Sequence, residues 1–134
     1  MKSYLHHLDH LVLTTRDITR CLDFYTRVLG MTMERFGAGR VALKYGDQKI
    51  NVDETSRTFG PLPDMPMPGS LDLCFISAVP LALVIPHLSE TGVEIELGPV
   101  PRTGATSLLS SIYLRDPDGN LIEISEYSSP DPAT

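Results

Sequence analysis

Apolar and polar positions change period in a fixed order along this chain. Residues 8–13 form a strand-length apolar run, and residues 17–29 then place Ile18, Cys21, Leu22, Tyr25 and Leu29 at helical spacing. Thr15 or Asp17 can cap that helix, while Thr19, Arg20, Asp23, Thr26 and Arg27 supply its polar side. Gly30 suits the left-handed position that closes it. Three short strands are expected next, at 32–36, 40–45 and 48–53, separated by Gly37-Ala38-Gly39 and Gly46-Asp47. The first half therefore reads β-α-β-β-β.

After a Pro- and Gly-rich stretch without periodicity, the order repeats. A strand at 71–77 leads to a helix at 80–91 closed by Gly92, and strands follow at 93–97, 108–115 and 121–127. Asp116-Pro117-Asp118-Gly119-Asn120 joins the last two as a turn. Pro86 is the one local misfit, because a proline inside a helix removes a backbone hydrogen bond. The same offset of 62 positions carries His10 onto Asp72 and Gly30 onto Gly92, which supports an internal duplication of pattern. The expected fold is α+β, a single domain over 1–134 with two βαβββ modules at about 4–59 and 69–128 forming a curled mixed sheet. A linker at 60–68 and a flexible tail at 129–134 complete it.

Composition narrows the function classes. With 42% hydrophobic and 21% charged residues, the 134-residue chain can bury one ordinary core. A net charge of −6 with scattered basic residues argues against a nucleic-acid partner. No stretch has the apolar length of a membrane span, and the polar residues at 6–10 interrupt any signal-peptide core, so a cytoplasmic protein is expected. Cys21 and Cys74 sit in apolar patterns as small buried hydrophobes and require no disulfide.

The chemistry is expected from polar residues set inside apolar strands, where an isolated charge is costly unless paired or bound to metal. His10 is the histidine set deepest in the first strand, Asp72 interrupts its counterpart in the second half, and Glu123 interrupts the last strand. Asn51 and Asp53 share one face of the last strand of the first half. One imidazole with two carboxylates, leaving open positions, suits Fe, Mn, Ni or Zn as a divalent Lewis acid. Such an ion stabilises the enolate-type charge formed when a proton leaves a carbon beside two neighbouring oxygens. Plainer roles stand beside these: a hydrogen-bonded structural histidine, an Asp72 paired with Arg115 or Arg102, and a Tyr113 lining the core.

Taken together, Asp9-His10-Leu11-Val12-Leu13, Phe24-Tyr25 with Leu29-Gly30-Met31, and Arg115-Asp116-Pro117-Asp118-Gly119-Asn120-Leu121-Ile122-Glu123 resemble the vicinal-oxygen-chelate superfamily. That superfamily includes glyoxalase I, extradiol dioxygenases and bleomycin resistance proteins. The resemblance implies metal ligands at His10, Asp72 and Glu123, with a fourth from Asn51 or Asp53, and departs from the usual pattern where Asp72 replaces a histidine. It implies catalytic roles for Glu123 or Asp53 in moving a proton. Tyr113 stands ten residues before Glu123, where ring-cleaving members carry a tyrosine.

The first expectation is thus a glyoxalase-like metalloenzyme of lyase or isomerase type, acting on a small-molecule substrate. A metal-free ligand-sequestering protein of bleomycin-resistance type is the second, and an extradiol dioxygenase the third. Too few histidines remain to serve ring cleavage, and no cluster of basic residues stands out to hold a glutathione adduct. The resemblance also implies a homodimer.

Overall fold

The computed structural model describes residues 2–128, and the tail expected at 129–134 lies outside the described residues. The chain divides into two compact units, Met1–Gly69 and Ser70–Thr134. Each contains one four-stranded mixed sheet and one helical segment, in the order β-α-β-β-β.

In the first unit β1 (His10–Thr15) runs parallel to β4 (Gln48–Glu54), and β3 (Arg40–Tyr45) and β2 (Thr32–Phe36) continue the sheet antiparallel in the order β1-β4-β3-β2. Alternation sends Leu11, Leu13 and Thr15 to one face with Ile50, Val52, Val41 and Leu43. Leu13, Leu43 and Ile50 are fully buried there, together with Cys21 and Tyr25 of the helical segment. Trimming one such leucine to alanine typically costs about 2–5 kcal/mol.

The helix begins where Asp17 accepts a hydrogen bond from the Arg20 amide at 3.1 Å. Its α-helical part, α1 (Ile18–Asp23), passes directly into a π-helical turn, Phe24–Val28. Within it the Leu29 amide reaches the Phe24 carbonyl, five residues back, at 3.2 Å. This wider step buries Phe24 and Val28 beside Cys21 and Tyr25 and leaves Leu29 only half-buried, which differs from the pure 3.6-residue face expected. Gly30 and Gly92 both adopt positive φ, 77° and 78°, so the duplicated glycines do the same conformational job.

In the second unit β5 (Asp72–Ile76) is parallel to β8 (Leu121–Tyr127), followed by β7 (Leu108–Arg115) and β6 (Leu97–Thr103) in the order β5-β8-β7-β6. Pro86 stays inside α2 (Leu81–Glu90), whose first amide, that of Leu81, donates to the Glu126 carboxylate at 2.9 Å. The strand expected at 93–97 instead begins at Leu97. It is an edge strand bearing Pro99 and Pro101, a location that tolerates missing N–H donors. Its bulge passes so close to β7 that a Cβ on Gly98 would strike the Ser111 carbonyl and the Ile112 backbone.

Candidate functional site

The face of the first sheet opposite Leu13 carries His10, Val12 and Thr14 of β1 alongside Lys49, Asn51 and Asp53 of β4. His10 is the opening residue of β1 and is exposed, rather than set deepest in it, because the strand starts at 10 and not at 8. Its Nδ1 lies 2.8 Å from Asp9 Oδ1. That contact holds the Asp9 carboxyl below its ordinary pKa and leaves Nε2 as the ring nitrogen for a metal or substrate. Asn51 is buried, and its Oδ1 has no hydrogen-bond partner. Such an orphaned acceptor calls for a donor or a cation.

Asp53 occupies a different environment on the same face. Arg40 donates from Nη2 to its Oδ1 at 3.1 Å, and Arg57 donates from Nη1 to its Oδ2. The Arg40 guanidinium lies over the Phe36 ring at 5.1 Å, and that of Arg57 over Phe59 at 4.7 Å. Nε of both arginines is buried without a hydrogen-bond partner. Two basic residues distant in sequence thus meet on one carboxylate, where the sequence had shown no cluster.

In the second sheet Asp72 and Cys74 of β5 share a face with Glu123 and Ser125 of β8 and with Tyr113 and Ser111 of β7. Tyr113 and Glu123 are direct cross-strand partners. Half-buried Glu123 accepts from the Ser125 hydroxyl at 3.2 Å, and Ser125 lies 2.6 Å from the Ser111 hydroxyl. The Tyr113 hydroxyl accepts from Arg102 Nε at 2.8 Å, so its own O–H remains a donor. Asp72 is exposed at the start of the edge strand β5, and Arg115 forms its ion pair with Glu96. Cys74 is exposed, not the buried hydrophobe expected, because strand alternation turns it to the polar face. Partial burial pushes its thiol pKa up, against the lowering effect of the Ser125 hydroxyl 3.4 Å away.

Registers place the candidates in matching positions. His10 stands opposite Lys49, two residues before the Val12–Asn51 pair; Asp72 stands opposite Leu121, two residues before the Cys74–Glu123 pair. His10 with Asn51 and Asp72 with Glu123 are therefore the same diagonal pair built twice. Among the described residues, no three His, Cys, Asp or Glu side chains come together as a ready-made metal cluster.

Residues 7–124 match the family described as the Glyoxalase/Bleomycin resistance protein/Dioxygenase superfamily. The chain belongs to this superfamily. It is 51% identical over 120 residues to the Glyoxalase domain-containing protein RDO1 of Mycosarcoma maydis, covering 90% of this chain and 68% of that protein. Over 133 residues it is 47% identical to Virulence protein STM3117 of Salmonella typhimurium, covering 92% of each. An integron cassette protein from V. cholerae shares the fold with a TM-score of 0.92 and 49% identity, over 96% of this chain and 100% of that one. The superfamily's own description spans enzymes and a resistance protein, so membership leaves the choice between them to the site residues. Of those missed in the sequence, Arg40, Ser111 and Ser125 carried one available signal, a polar residue in a strand beside an apolar one, whereas Arg57, between Ser56 and Thr58, carried none.

Proposed function

We propose that this glyoxalase-superfamily protein is a metalloenzyme of lyase or isomerase type, acting on a small substrate that offers two neighbouring oxygens to a divalent ion of Fe, Mn, Ni or Zn. The observation that carries the reading is the diagonal pair that each unit presents on its own sheet: in the first an imidazole oriented by Asp9 and an unpartnered buried amide oxygen on Asn51, in the second the carboxylates of Asp72 and Glu123. His10, Asp72 and Glu123 are the ligands proposed, with Asn51 preferred to Asp53 as the fourth because both Asp53 oxygens already accept from guanidinium groups.

The ion would supply Lewis acidity toward the substrate oxygens. Glu123 is assigned the proton, since it stands opposite Tyr113 across β7 and β8 and the Ser125 hydroxyl orients its carboxylate through Oε2. Asp53 is less suited to that role because both its oxygens already accept from guanidinium groups. Tyr113, whose hydroxyl is oriented by Arg102, would donate to a substrate oxygen beside Glu123. The reading extends to a cytoplasmic homodimer, checked by sedimentation.

Elemental analysis of protein purified in the presence of several divalent ions is the test. A stoichiometric ion is expected, lost in His10→Ala and in Glu123→Ala, and Asp72→His is expected to bind zinc more tightly because imidazole is the softer ligand. A protein that stays metal-free through this procedure would overturn the reading. It would favour instead a metal-free ligand-binding protein, a second reading supported by Arg40 and Arg57, which can hold an anion unaided.

A further inference from the structure

We infer that Arg40 and Arg57 form a subsite for a carboxylate group of a small ligand, so that the substrate class is a carboxylic acid. The inference rests on the small-substrate reading above but not on the metal. The first observation is a shortage of acceptors. Two guanidinium groups offer ten N–H donors, and the carboxylate they share offers two oxygens, both already used. Both Nε atoms are buried without a partner, whereas most buried donors in folded proteins find one.

The second observation is charge. Arg40, Lys44 and Lys49 line this face and Arg57 adjoins it, against the carboxylates of Glu34 and Asp53 and that of Asp9 near Lys49. A local cationic excess stands out in a chain whose net charge is −6. The third is preorganisation. Asp53 holds both arginines from one side, and Phe36 and Phe59 lie against their planes. The forks are therefore already fixed, which lowers the entropy cost of binding an anion. The side chains of Arg40 and Arg57 remain 27% and 16% exposed, so neither is sealed from solvent. Asp53 lies two residues along β4 from Asn51 on the same face, about 7 Å at the rise of an extended strand. A carboxylate on the arginines would thus belong to a molecule only a few carbons long if its other oxygens reach Asn51.

The probes are acetate, malonate and succinate, with succinamide as the neutral control, titrated at constant ionic strength with chelator present. The readout is the arginine Nε–H resonances of the full chain. Saturable shifts of Arg40 and Arg57 are expected with at least one acid and none with succinamide. In Arg57→Gln the apparent Kd should rise by at least about tenfold. Arg35→Gln, on the opposite face of β2, should leave it unchanged. Nε signals that none of the acids moves, equal response to succinamide, or unaltered affinity in Arg57→Gln would each overturn the subsite. Arg57→Lys, which keeps the charge without the fork, should fall between and guards against misfolding of the glutamine variant. Because chelator is present throughout, the outcome is independent of whether elemental analysis finds an ion.

Discussion

The polar faces of the two sheets share one register and carry different chemistry. Where the second sheet sets Ser125 two residues beyond Glu123, the first sets Asp53 two residues beyond Asn51. Ser125 joins a neutral network with Ser111 and Cys74 that orients Glu123. Asp53 instead anchors two arginines, and the neighbouring ligand candidate is an uncharged amide. The duplication has therefore preserved geometry and divided the work. One half carries a carboxylate bridged by two guanidinium groups, and the other a carboxylate oriented by a hydroxyl.

Breaking the charged half should cost most. Asp53→Ala leaves two largely buried guanidinium groups without their counter-charge, and about 3 kcal/mol of stability should be lost, lowering Tm by roughly 10 °C in a thermal scan. Breaking the neutral half at its equivalent position should cost less. Ser125→Ala removes hydroxyl contacts from a fully buried residue and should lose about 1–2 kcal/mol in urea unfolding. If the two losses come out equal, the division between a charged and a neutral face fails. An ion pair away from both faces sets the floor. Arg27→Ala breaks an exposed contact with Asp23 one helical turn away and should cost only about 0.3–0.5 kcal/mol, fading in high salt.

Much of this architecture is legible in the amino-acid sequence, and the exceptions have physical causes. Strands at 40–45, 108–115 and 121–127 were found at their observed ends, since alternation and turn residues agree there. The edge strand Leu97–Thr103 was not, because Pro99 and Pro101 read as loop unless the strand is known to lie at an edge. Phe24–Val28 escaped because a π-helical step has no counterpart in a 3.6-residue pattern. Among the candidate residues, Asn51 and Glu123 do stand as polar residues inside apolar strands, whereas His10 and Asp72 are exposed and open theirs. Arg40 and Arg57 were not legible as a pair, since only the antiparallel pairing of β3 with β4 and the bend after Glu54 bring them onto one carboxylate.

The turn between β7 and β8 has a consequence for folding order. Asp116 accepts from the amides of Asp118 and Asn120 and from the Asn120 side chain, all within 2.9 Å, while Asn120 Oδ1 accepts from the amide of Leu71, 49 positions away. A locally formed hairpin loop therefore presents the acceptor on which the distant start of β5 is seated. Closing the long loop is entropically slow, whereas the turn can form early. The hairpin should act as a template, already shaped when β5 arrives, so that Asp72 inherits its position from a turn in which it takes no part.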